Sequence, residues 1–256
     1  MKRITVKIGS TFFIDDDGNL NLRQLAELSE QIRNISDSGI EVCLVSSGAI
    51  AVGRKKVGLN KRPKDIAKLQ ALAAIGQTSL MQIYEQVFEI FNLRPAQILV
   101  SHDDFTDRHR NESLKNAVNE LFKFGAIPVV NENDAVAVQE IKFGDNDTLS
   151  AMMAKLTQSE LLILVSDVDG LYTADPNTDR SAKLIPEIDV IDDSIEKLSG
   201  VPSSAYGTGG MQTKIGAAKI ATEAGIPMMI ISARKIAELS AATCGVNLGT
   251  YFKAAK

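Results

Sequence analysis

The chain has 256 residues, 45% of them hydrophobic and 23% charged, the balance of a folded globular protein rather than a disordered or fibrous one. A formal net charge of −4 leaves no basic footprint for nucleic acid, and Cys43 and Cys244 are too few and too far apart for a disulfide framework or a Cys-based zinc site. Lys7 and the DDD run at 15–17 break up the N-terminal apolar stretch, so neither a signal peptide nor a membrane span of ~18 apolar residues is read, and a cytoplasmic protein is expected.

RITVKIG (3–9) reads as a strand. LRQLAELSEQIRNISD (22–37) sets Leu22, Leu25, Leu28, Ile32 and Ile35 on one helical stripe, with Gly39 as its stop. EVCLVSS (41–47) is the next strand, and a long helix is expected over 64–91 with a break at Gly76. QILVS (97–101) is a strand, NESLKNAVNELFKFG (111–125) a helix, and IPVVNEN (127–133) a strand with its Pro at the start, where Pro is tolerated. AVAVQEIKFGDND (135–147) alternates and then turns, as a hairpin would. DTLSAMMAKLTQS (147–159) is a helix and ELLILVSD (160–167) an apolar strand. LYTADPNTDRSAKLIPEID (171–189) is polar and is expected to pack outside the main sheet. MQTKIGAAKIATEAG (211–225) is a helix, IPMMIIS (226–232) a strand, and the tail reads helix (236–244) then strand (249–253). Strand–helix alternation with continuous Val/Ile/Leu-rich strands predicts an α/β fold, a mostly parallel sheet covered on both faces, as one domain over 1–256.

In such sheets ligands bind at the carboxyl ends of the strands. Polar or glycine-rich clusters fall at those positions: Lys7 with Gly9-Ser10, then Ser47-Gly48, then NEND (131–134), then GDND (144–147), then Ser166-Asp167 with Asp169. Another cluster, YGTGGMQTKI (206–215), opens a helix. It is neither a Walker A loop, because Thr213 precedes Lys214, nor a dinucleotide fingerprint, because Gln212 stands where the third glycine belongs. Each cluster has a plainer reading: SSG as a helix cap, NEND as an Asx turn, GDND as a hairpin turn with an N-cap, the glycine run as an ordinary turn. Lys7 is the hardest to read plainly, since a lysine inside a buried strand needs a partner. His102 and His109 lie seven residues apart in a very polar segment with no H-E-x-x-H pattern, and read as part of a solvated surface loop, an oligomer contact or a lid.

Two lysines, glycine turns, helix N-termini and acids, without a histidine base, suit phosphoryl transfer, whose catalysis is largely positioning and electrostatics. A carboxylate acceptor, with a reference pKa of about 4.3, needs no general base at neutral pH.

The strings VKIGS (6–10), VSSGAIAVGR (45–54), ALAAIGQ (71–77), PVVNENDAV (128–136), EIKFGDNDTLSA (140–151), SDVDGLYTADP (166–176) and GTGGMQTKIGAAKIA (207–221), in this order, resemble the amino acid kinase family and, within it, the glutamate 5-kinase branch. NENDAV with GDND is the specific part; the glycine loops are shared with acetylglutamate, aspartate, uridylate and carbamate kinases. The resemblance implies a three-layer αβα sandwich and ATP-dependent phosphorylation of the L-glutamate side-chain carboxylate, the first step of proline biosynthesis. It implies Lys7 and Lys214 on the ATP phosphates and the transferring group, with Asp147 orienting both. It implies Ser47, Gly48, Asp134 and Asn146 on glutamate, and Ser166, Asp167 and Thr208, Gly209, Gly210, Met211, Gln212, Thr213 and Lys214 around ATP. Mg²⁺ is expected with ATP, with no protein ligand assigned. Proline as feedback inhibitor, a homo-oligomer and a glutamyl-phosphate reductase as transient partner are further expectations. Many bacterial relatives carry a C-terminal PUA domain, and none is expected after GTYFK (249–253). Two other readings stand beside this one: a kinase of the same fold acting on another carboxylate, and a non-catalytic amino-acid sensor.

Overall fold

The computed structural model describes residues 1–13, 20–136, 145–176, 178–198 and 210–255. In chain order the strands are β1 (Arg3–Ile8), β2 (Glu41–Ser46), β3 (Pro95–Val100), β4 (Ile127–Glu132), β5 (Leu161–Ser166), β6 (Glu187–Ile188), β7 (Met228–Ser232) and β8 (Thr250–Phe252). They form one sheet in the order β3-β4-β2-β1-β5-β7-β8-β6. Its pairings are parallel apart from β7 with β8. β1 lies between β2 and β5, so the chain moves outward from it in both directions, and the crevice at its carboxyl end is the ligand position of such sheets.

The helices are α1 (Leu22–Asp37), α2 (Ala49–Lys56), α3 (Ile66–Ile90), α4 (Asp103–Thr106), α5 (Arg108–Lys123), α6 (Asn146–Thr157), α7 (Asp193–Lys197), α8 (Met211–Glu223) and α9 (Leu239–Thr243). They cover both faces. On one, Leu25, Leu28, Ile32 and Ile35 of α1 and Leu80, Tyr84 and Phe88 of α3 pack with Ile4, Val6 and Ile8 of β1. Each such side chain contributes about 1.5–3 kcal/mol on full burial. On the other, α8 and α6 cover β5 and β7, while α5 and α6 cover β2 and β4. Leu22, placed on the buried stripe by its spacing, is instead 54% exposed in the first turn of α1. No described helix is long and apolar enough to cross a membrane.

Several elements differ from the sequence reading. α3 runs unbroken through Gly76. The glycine is there for approach, not for a break: a Cβ at Gly76 would fall 1.7 Å from the Ala49 carbonyl oxygen, and one at Gly53 would fall 2.0 Å from the Leu72 carbonyl oxygen. α2 and α3 therefore cross backbone to backbone. The polar stretch after β3 is largely helical, as α4 and the start of α5, because the Asp107 side chain caps α5 by accepting from the Arg110 N–H. Residues 187–188, expected outside the sheet, form its last strand, paired in parallel with β8. The tail before β8 is a 3-10 stretch (Ala233–Glu238) followed by the short α9. Most of the predicted hairpin, 137–144, lies outside the described residues.

Candidate active site

The side-chain period of two along a strand builds the first part of the site. Ile4, Val6 and Ile8 enter the core beneath α1. Thr5 and Lys7 take the other face, where Thr5 meets Ser159 and Lys7 meets Asp147 in the first turn of α6. Lys7 Nζ lies 2.5 Å from Asp147 Oδ1, a buried ion pair. Lys214 Nζ lies 3.3 Å from Asp147 Oδ2, and Thr213 Oγ1 donates to the same oxygen at 2.7 Å. Both lysines come from different ends of the chain and meet one carboxylate because α6 packs beside both β1 and α8.

Lys7, Lys214 and Asp147 are 7%, 5% and 0% exposed. Burying a charge costs several kcal/mol per ion, recovered only through partners. Burial pushes the Asp147 carboxyl up; Lys7 and then Lys214 pull it further down, to about 2. The three touching groups leave one unit of positive charge. Asp145, close by, is engaged elsewhere: its side chain caps α6 by accepting from the Thr148 N–H. Burial, with the Asp147 charge assisting, raises its pKa. An anion is the favoured guest beside the two lysines.

The helix ends point the same way. Among the described residues, α1, α3, α5 and α6 each have a side chain capping the first turn, supplied by Asn21, Asp65, Asp107 and Asp145. α2 and α8 are capped by Gly48 and Gly210 with no side-chain hydrogen bond. Their leading N–H groups have no intrahelical partner, which is the arrangement of an anion-binding helix terminus. Gly48 also carries φ +109°, and a Cβ there would press on Phe13 at 3.0 Å. A side chain at this turn would be strained twice over.

A second constellation lies next to the first, because Asn146 precedes Asp147. Asn146 Nδ2 donates to Ser47 Oγ at 2.7 Å, to Asn131 Oδ1 at 3.0 Å and to the Ser46 carbonyl at 3.4 Å. The ends of β2 and β4 and the start of α6 are thereby tied together. Behind them Tyr84 donates to Ser46 Oγ at 2.8 Å. Asp134 stands half-buried in the turn after β4, at the same end of the sheet. Ser166 ends β5, beside β1, and its hydroxyl donates to the exposed Asp167 carboxylate at 3.0 Å. Gly210, Met211, Gln212, Thr213 and Lys214 form the cap and first turn of α8. Thr208 and Gly209 lie outside the described residues. Two open grooves, of about 460 and 600 Å³, are lined by residues such as Pro95, Gly125, Glu160 and Ile226. They lie at the opposite, amino-terminal ends of the strands, away from these charges.

Sequence reasoning missed the contact of Thr213 with Asp147 and the roles of Asn131, Gln77 and Tyr84 behind the site. A signal was present for Gln77, a lone amide within the apolar stripe Leu72, Ala73, Leu80 and Tyr84 of α3.

The amino acid kinase family model matches residues 2–232. The glutamate 5-kinases of Carboxydothermus hydrogenoformans and Streptococcus pneumoniae are 45% and 44% identical to this chain, over 98% and 99% of it and 68% and 69% of their own lengths. The chain belongs to the amino acid kinase family, in its glutamate 5-kinase branch. The fold of this family member agrees. UMP kinase from Ureaplasma parvum superposes with a TM-score of 0.65 at 17% identity, and carbamate kinase from Giardia lamblia bound to AMP-PNP with 0.68 at 16%, each covering 98% of both chains.

Two ammonium groups on one buried carboxylate and an uncapped glycine-led helix fit the phosphates of a nucleotide. For a metal, no group of three or more His, Cys, Asp and Glu side chains suited to hold one occurs among the described residues.

Proposed function

We propose that this amino acid kinase transfers a phosphoryl group from ATP to the side-chain carboxylate of L-glutamate, giving L-glutamyl 5-phosphate, the entry step of proline biosynthesis. The observation that carries the reading is the convergence of Lys7 and Lys214 on Asp147, directly beside the Ser47–Asn146 contact. Identity of 45% and 43% to the glutamate 5-kinases of Carboxydothermus hydrogenoformans and Citrifermentans bemidjiense supports the choice of acceptor.

ATP supplies the transferable group, with Mg²⁺ carried on its phosphates. The protein's part is electrostatic. Lys7 and Lys214 present fixed positive charge where negative charge spreads over the transferring oxygens. Asp147 holds both ammonium groups in place, and Thr213 fixes Asp147. The N–H groups leading α8 and α2 add partial positive charge at either side of the crevice. The acceptor carboxylate is ionised at neutral pH, so no residue has to remove a proton. Ser47 after β2, Asp134 after β4 and Asn146 at the start of α6 lie at the same end of the sheet, which supports their holding an amino acid, with Asp134 suited to an ammonium group.

The test is ADP release by the purified chain with ATP and Mg²⁺, with and without L-glutamate, and hydroxylamine trapping of the product. Glutamate-dependent turnover yielding γ-glutamyl hydroxamate is expected. Turnover with another acid in preference to glutamate, or none with any acid, would refute the reading.

A further inference from the structure

Asn146 is the last of four side-chain amides joined head to tail. Gln77 Nε2 donates to Gln97 Oε1 at 3.1 Å, Asn131 Nδ2 donates to Gln77 Oε1 at 3.0 Å, and Asn146 Nδ2 donates to Asn131 Oδ1 at 3.0 Å. Gln77 and Asn131 are only 8% and 3% exposed. An amide can be turned over with its oxygen and nitrogen exchanged, so the direction of such a chain needs an anchor. One backbone group provides it. The Glu132 N–H, which can only donate, points at the Asn131 oxygen at 3.0 Å. Asn131 must then offer its oxygen to Asn146 and its nitrogen to Gln77, and Gln77 must answer with its oxygen. The Ser46 carbonyl, 3.4 Å from the Asn146 nitrogen, fixes the far end independently. The Asn146 oxygen is left on the side of the amide turned from these acceptors, accepting no hydrogen bond among the described residues. Gln77 is itself held by its neighbour Gly76, which lies against the backbone of α2, the helix that begins just after Ser47.

We infer that Gln77 is a positioning residue for substrate recognition: it holds Asn131, which the Glu132 N–H orients, and through Asn131 keeps Asn146 in place with the carboxamide oxygen as the presented atom. Asn146 therefore reads a hydrogen-bond donor, the α-ammonium group of the acceptor amino acid, and opposes a carboxylate at that point. The inference rests on the glutamate reading above.

The experiment uses the full chain with ATP and Mg²⁺, glutamate as substrate, and glutarate as competitive inhibitor. Glutarate keeps both carboxylates and lacks the ammonium group. Gln77→Leu leaves the Asn131 nitrogen unpaired; KM for glutamate is expected to rise about tenfold, while kcat and the glutarate Ki stay within about twofold. Gln77→Glu keeps an oxygen for Asn131, and its glutamate KM should stay within about threefold of the parent. An unchanged glutamate KM in Gln77→Leu overturns the inference. So does a parallel rise in glutamate KM and glutarate Ki, the mark of a general packing defect. Should Gln77→Leu fail to fold, Gln97→Leu breaks the same chain one link further out, and the same split at about threefold is required. A parent enzyme that ignores glutamate but phosphorylates another acid sinks the functional reading instead, and is seen before any variant is made.

Discussion

A Cβ on Gly76 would lie 1.7 Å from the carbonyl oxygen of Ala49, so α3 and α2 touch through their backbones. A side chain in the way can rotate aside; a helix carbonyl cannot. Gly76→Ala must push the two helices apart. A loss of about 3 kcal/mol is expected, at the upper end of overpacking costs, or roughly 2–4 °C in Tm per kcal/mol for a chain of this size. Gly216 in α8 has nothing within 4 Å of its Cβ position. Gly216→Ala is therefore the control, expected to be neutral or to stabilise by up to about 1 kcal/mol. Calorimetric melts showing equal Tm for both variants would refute the close-crossing argument.

Lys7→Ala and Lys214→Ala each remove one of the two ammonium groups held at Asp147. Each should lower kcat about 10³-fold, the scale of losing one preorganised charge from a transition state. A cooperative melt should persist in both, because β1 and α8 keep their apolar contacts. Near-parental turnover in either variant would remove that lysine from the mechanism.

Thr213→Val deletes the hydroxyl that donates to Asp147 Oδ2 at 2.7 Å while keeping the side-chain shape. Asp147 then loses a partner and Lys214 its fixed position. A drop in kcat of about tenfold is expected, one hydrogen bond to a charged group, and Thr213→Ser should recover most of it. Equal kcat in all three proteins would make Thr213 a mere helix residue.

Asp147 carries a pH signature. Its carboxyl is held below the ordinary 3.8, at about 2, so its ionisation favours the folded state. That contribution, on the order of 2 kcal/mol, is complete well above the ordinary value and is lost as pH falls through about 2. Asp147→Asn should be less stable than the parent near neutral pH, since it leaves two buried ammonium groups without their anion. The gap between the two proteins in urea unfolding should narrow as pH falls from about 5 towards 2. A constant gap across that range would mean Asp147 is not the group that titrates.

Much of the site was legible in the chain. A lysine inside a buried strand demands a partner, and Lys7 has one. GDND before an apolar helix announces an N-cap, and Asp145 is that cap. Local chemistry of this kind is written in neighbouring residues. Gly76 was misread because a glycine within a helix breaks it or lets another backbone approach, and only the partner helix tells which. The 101–113 stretch was misread because its polarity outweighed the Asp107 cap. The edge strand at 187–188 was missed because two residues carry no period; pairing with β8 makes them a strand.

By itself, then, the sequence determined the alternation of strands and helices, the parallel sheet, and which polar clusters fall at the strand ends, because periodicity and turn chemistry act within a few residues. Only the tertiary structure shows the geometry by which Lys7 and Lys214 meet the buried Asp147 carboxylate, and that a glutamine on α3 holds the asparagine of β4 to which the Asn146 amide of α6 donates. Those relations depend on how the layers stack, and a side chain's partner across layers leaves no mark on its neighbours in the chain.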